Sequence, residues 1–155
     1  MQTIPFAELK ETLYYEQLPN GLKVYVLPKR GFHKTYATFS TKYGSIDNRF
    51  RVEGKPEMSV PDGIAHFLEH KMFEEPTGDI FATFASQGAS ANAFTSFDRT
   101  VYLFSATEKV AENLKTLLDF VQNPYFTDQN VEKEKGIIGQ EIRMYRDNPD
   151  WRVYF

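Results

Sequence analysis

The sequence predicts an α+β fold, and three observations carry that prediction. Asn20-Gly21, the strongest short turn signal, separates two runs of strand-forming residues. Two later stretches, 107–122 and 129–146, place apolar residues along one face at the helical period. Between the turn and those stretches lies a third helical segment, 64–73, whose two faces differ in chemistry as well as polarity. A chain of 155 residues with 41% hydrophobic and 15% aromatic content can bury one core.

In chain order, residues 12–28 form the hairpin. Leu13, Tyr14 and Tyr15 lead into the turn, and Leu22, Val24 and Val26 alternate with Lys23 and Tyr25, giving a strand with one buried face. Residues 34–43 are rich in β-formers and predict a third strand. From Gly44 to Gly63 the chain is polar and carries Pro56 and Pro61, which reads as a loop delivering the chain to the helix at 64–73, with Asp62 as its cap. A short helix over 79–86 ends at Gly88. Residues 89–106 predict two strands joined through 95–99. In the helix at 107–122, Val110, Leu114, Leu117, Leu118 and Val121 share one face. Asn123-Pro124 stops it, and Thr127 and Asp128 are cap candidates for the last helix, 129–146.

Composition excludes several functions. With 18 basic and 21 acidic residues and a net charge of −3, nothing argues for nucleic acid. No apolar run is long enough to span a bilayer. The absence of cysteine excludes disulfides and thiolate metal sites, leaving His, Asp and Glu as ligands, and fits a cytoplasmic setting. The first eleven residues lack the apolar segment of a secretory signal.

His66-Phe67-Leu68-Glu69-His70 carries two of the three histidines. On a helix, Phe67, Leu68 and Met72 fall within about 80° of Ile64, while His66, Glu69, His70 and Phe73 lie opposite, between about 140° and 240°. One face can pack on a core, and the other offers two imidazoles one turn apart to a single ion. The spacing reads as zinc, against the plainer reading of two hydrogen-bonded histidines. Lys71 falls amid the apolar stripe and is expected to snorkel outward. His33, in a loop after Gly31, reads as a bystander.

The last helix supplies what such a pair lacks. Glu134, Ile137, Ile138, Glu141, Ile142 and Tyr145 lie within about 80° of one direction, so two carboxylates share an apolar face. Burying a carboxylate is costly unless it is paired or bound to metal. Glu141 is the candidate third ligand. Glu134 either takes its place or orients a ligating histidine. Glu132 reads as part of a solvated charge run. This account requires Glu141 to reach the imidazoles and not to turn to solvent.

Together these residues resemble the pitrilysin/insulinase family of zinc peptidases. His66, Glu69 and His70 match its inverted His-x-x-Glu-His motif, and Glu141, in Glu-Lys-Gly-Ile-Ile-Gly-Gln-Glu, matches its distant glutamate ligand. Glu134 matches a glutamate that supports a ligand, and Asn92-Ala93-Phe94-Thr95-Ser96 a strand whose edge pairs with the substrate backbone. Lys71 departs from the methionine that relatives often carry there. The resemblance implies a largely antiparallel sheet with helices packed on one face, as in the N-terminal domain of such peptidases. It implies a bound Zn2+, Glu69 as general base, and a peptide or small protein held as an added strand at Asn92 and Ala93. It also implies a bacterial protein that forms a homodimer or pairs with a homologous subunit.

Two rival readings stand beside the metalloendopeptidase. One is a non-catalytic homologue, against which an intact Glu69 argues. The other is a structural metal site closed by a fourth protein ligand, which the absence of cysteine disfavours. Trp151, Val153, Tyr154 and Phe155 form an apolar cluster. With the greater length of relatives, it suggests that residues 1–155 are the zinc-binding part of a longer chain, able to bind zinc but a poor peptidase alone.

Overall fold

The computed structural model describes residues 1–154, the side chain of Tyr154 excepted; Phe155 of the apolar cluster lies outside that description. The chain divides into two units, Met1–His33 and Lys34–Phe155.

The first unit is an antiparallel sheet, β1 (Gln2–Phe6), β2 (Glu11–Gln17) and β3 (Lys23–Val26), in that spatial order. The expected turn is present. Gly21 has φ +87°, and the Leu18 N–H donates to the Leu22 carbonyl at 2.8 Å. Such a positive φ suits glycine because it has no Cβ. Burial along β3 is weaker than the alternation predicts, with Val24 half-buried and Val26 45% exposed. β1 was not expected. All five of its residues are exposed, so it has no periodicity to read, and its Pro5 is tolerated at an edge.

In the second unit, β4 (Thr35–Thr41), β10 (Thr100–Ala106) and β9 (Ala89–Thr95) form an antiparallel sheet in the order β4-β10-β9. Register explains why its helices share a face. Tyr102 lies opposite Phe39 and Ala93, and Phe104 opposite Ala37 and Ala91. Side chains alternate along strands, so this set points one way. It packs on Met72 and Phe73 at the end of α1 (Ile64–Met72), Ile80 and Phe84 of α2 (Ile80–Ser86), and Leu117 and Phe120 of α3 (Val110–Phe120). Phe84 and Phe104 are fully buried, and each such ring contributes about 2 kcal/mol of transfer free energy. The alanines of β9 and β4 let the helices sit close. This is the expected sheet with helices on one face.

Several local expectations change. Residues 44–63 are not a plain loop: β5 (Arg49–Arg51) and β6 (Glu57–Ser59) pair, with Arg49 Nη2 2.6 Å from Glu57 Oε1. Strands of three residues are too short to display alternation. A second small hairpin, β7 (Glu74–Glu75) and β8 (Gly78–Asp79), follows α1. Asp62 does not cap α1, because its carboxylate accepts from Asn48 Nδ2 at 2.8 Å; Gly63, at φ +82°, starts the helix. Lys71 does not snorkel. Its side chain is fully buried, and the hairpin after α1 brings Glu74 onto its ammonium.

On α3 the buried stripe is Asn113, Leu117 and Phe120, and Leu114 is 42% exposed. Asn113 is admitted because its amide donates to the Gln87 carbonyl at 3.2 Å and the Lys109 carbonyl at 2.9 Å. The α4 helix (Asp128–Arg146) begins as expected at Thr127, in a reciprocal cap with Asn130. Beyond it, α5 (Pro149–Tyr154) was missed, although Asn148 as cap and Pro149 at the first helical position were a readable signal.

Gly44 is buried where the chain passes the β9–β10 turn, and an added Cβ would lie 2.4 Å from the Phe97 carbonyl oxygen. Backbone cannot yield as a side chain can. Gly44→Ala is expected to destabilise the protein by about 1–3 kcal/mol, read as a lower urea midpoint.

Candidate metal centre

α1 and α4 meet, and their contact carries the candidate site. The α1 helix places His66 and His70 one turn apart, with ring centroids 4.6 Å apart and planes at 81°. The cap at Thr127 and Asn130 fixes where α4 begins, and hence the phase that brings Glu134 and Glu141 to the same side.

Glu141 reaches both histidines. Its Oε2 is 3.6 Å from His66 Nε2, and its Oε1 is 3.7 Å from His70 Nε2. One ligand atom from each residue lies within 4.8 Å of the others. Two ligands bound tetrahedrally at about 2.1 Å stand about 3.4 Å apart, so these separations fit one ion. Among the described residues, no other group of three such side chains is close enough to hold a metal.

Glu134 lies on the other side of His70. Its Oε1 is 2.9 Å from His70 Nδ1, and the residue is only 7% exposed. Of the two roles left open by the sequence, its position corresponds to the orienting one: a partner on Nδ1 leaves the Nε2 lone pair free for an ion. Both carboxylates are more buried than Ile137 or Ile142 beside them, the reverse of what hydrophobicity alone would arrange. Among the described residues no lysine or arginine pairs with Glu69, Glu134 or Glu141. A cation between the imidazoles would balance that negative charge.

Glu69, at 8% exposure, accepts a hydrogen bond from Thr95 Oγ1 at 2.6 Å. Nearby Tyr102 is buried, and its hydroxyl is pushed well above its ordinary pKa, first by desolvation and then by the charge of Glu69. It stays neutral. The sequence names Thr95 only within the Asn92–Ser96 match, with no role of its own, and does not mark Tyr102. Thr95 read as part of a connection, and nothing in a strand-like Val-Tyr-Leu-Phe run marks the tyrosine.

Asn92 and Ala93 lie on β9, the edge of its sheet. Asn92 is exposed and its Oδ1 accepts from the Ala93 N–H at 2.9 Å, while Ala93 faces the helices. His33 is exposed and belongs to the first unit.

Two imidazoles from one helix, a carboxylate from another and a buried glutamate between the histidines in sequence make this a candidate metal centre of the inverted His-x-x-Glu-His class. The chain belongs to the Insulinase family (peptidase family M16), whose family model matches residues 57–154. It is 69% identical over 156 residues to the uncharacterized zinc protease YmfH of Bacillus subtilis, covering 100% of this chain and 36% of that protein. A crystal structure described as an M16-like peptidase from Alicyclobacillus acidocaldarius superposes with TM-score 0.88 at 55% identity, over 93% of this chain and 34% of that one. A protease from Helicobacter pylori matches with TM-score 0.76 at 26% identity, over 92% and 34%. The chain thus spans about a third of the length of the relatives it matches.

If Glu134 holds His70 in the ligating tautomer, Glu134→Ala should weaken divalent-metal binding about 10- to 100-fold with the fold retained. Competition against a chromophoric chelator, with circular dichroism as the folding control, measures it.

Proposed function

We propose that this chain carries the zinc site of a metalloendopeptidase, in which His66, His70 and Glu141 hold Zn2+ and Glu69 is the general base. The observation that carries the reading is the approach of Glu141 to the Nε2 atoms of both histidines, with Glu69 buried beside them. The donor set fits zinc: two neutral nitrogens and one carboxylate oxygen leave a fourth direction open, as catalytic sites require. When bound, zinc supplies a Lewis acid that makes water at the site acidic near neutral pH and polarises a carbonyl oxygen.

The chain's own residues do the rest. Glu134 accepts the Nδ1 proton of His70 and holds the ring in place. Glu69 immediately precedes His70 and is fixed through Oε2, which leaves Oε1 to take the proton of the attacking water. The same carboxyl then returns a proton to the departing amine. The free edge of β9 at Asn92 and Ala93 receives the peptide as an added strand. Backbone pairing of that kind reads main chain more than side chains, so sequence preference is loose. A cytoplasmic setting agrees with the absence of cysteine.

Because the chain covers about a third of its relatives, we further propose that residues 1–155 bind zinc yet hydrolyse peptides far more slowly than a protein of the relatives' length. A fluorogenic-peptide assay at matched zinc loading would refute this by showing comparable turnover.

Two substitutions separate base from ligand. In a protein of the relatives' length, Glu69→Gln should abolish hydrolysis, by about 1,000-fold or more, while zinc content stays near one per chain. Glu141→Ala should lower zinc content itself. Metal analysis beside peptide turnover reads both, and an active Glu69→Gln protein or a fully loaded Glu141→Ala protein would remove the assigned role.

A further inference from the structure

We propose that Thr95 is the positioning residue for Glu69, so that the strand offered to the substrate also aims the base. This rests on the peptidase reading above. Thr95 closes β9, and its Oγ1 donates to Glu69 Oε2 at 2.6 Å. A hydroxyl has one hydrogen, and a carboxylate at this distance takes it. Thr100, opposite Thr95 in the register, has its own hydrogen committed to the Tyr43 carbonyl at 2.8 Å. Its oxygen is 3.4 Å from Thr95 Oγ1, too far to compete with the carboxylate.

Among the described residues, no other hydrogen bond reaches the Glu69 carboxylate. The carboxylate is therefore anchored at Oε2 by one neutral donor, and Oε1 is left for water. A long side chain with several torsions is held in one orientation before the reaction begins, as proton transfer requires. The anchoring hydroxyl sits on the same short strand as Asn92 and Ala93, at its free edge. A peptide paired to that edge is placed in register with the group that aims the base, so one rigid element sets both positions. The buried Thr100 and its bond to Tyr43 tie this end of β9 to the chain leaving β4.

The test uses the full-length, zinc-loaded protein and a fluorogenic peptide. Thr95→Val keeps the β-branched shape and removes the donor, whereas Thr95→Ser keeps the donor. Thr95→Val should lower kcat about 10- to 100-fold, with KM unchanged within about twofold and zinc content retained. Thr95→Ser should recover most of the rate. Adding Thr95→Val to Glu69→Gln should cost nothing further, because there is no base left to aim; a merely structural role would slow both backgrounds alike. Wild-type kcat in Thr95→Val, or Thr95→Ser as slow as Thr95→Val, overturns the proposal. Should Thr95→Val shed zinc or unfold, Thr95→Ala against Thr95→Ser at matched zinc content decides by the same criterion. An inactive Glu69→Gln beside a fully active Thr95→Val removes this inference alone, whereas an active Glu69→Gln removes the peptidase reading beneath it.

Discussion

The contact between α1 and α4 is the constraint on which the candidate site depends. Its polar links are Glu134 on His70 Nδ1 and Glu141 facing both Nε2 atoms. Taking carboxylates out of water costs several kcal/mol each unless partners replace the lost hydration. Imidazoles offset part of that cost, and a divalent ion among them would offset more. The same groups that make the helix interface expensive in an empty site make it selective for a cation in a filled one.

The sheet explains how that interface is held in place. The face of β4, β10 and β9 that carries Tyr102, Phe104 and the alanines takes α1, α2 and α3 against it. Phe73, at the end of α1, packs on Tyr102 of β10 and Phe120 of α3, so α1 cannot slide without opening voids. Glu69 and Thr95 then form a direct link from that helix to the edge strand. Site geometry is thereby inherited from core packing.

Lys71 shows the same economy of charge. An ammonium fully buried amid the apolar stripe of α1 would ordinarily be unfavourable for its desolvation alone. Glu74, brought back by the β7–β8 hairpin, neutralises it where it stands. The hairpin is only two residues a side, yet it determines the environment of the helix end.

Much of this was legible in the sequence. The Asn20-Gly21 turn, the β9–β10 pair, the stop at Pro124 and the start at Thr127 follow from local chemistry, because turns, strand pairs and caps need few neighbours. The His-x-x-Glu-His spacing is local as well, since a helix puts positions four apart on one side. The sequence marks Glu141, a carboxylate on an apolar face, as the third ligand, but it leaves Glu134 either to replace Glu141 or to orient a histidine. Only the crossing of two helices distant in the chain places one on Nδ1 and the other near Nε2. Tertiary structure also decided what periodicity misjudged. Asn113 displaced Leu114 from the α3 face because Gln87 supplied a carbonyl, and Asp62 was drawn from its expected cap by Asn48. Thr95 acquired a partner 26 positions earlier in the chain. Local pattern determines which elements form and which faces they offer; hydrogen-bond partners remote in sequence determine which polar groups are admitted inside.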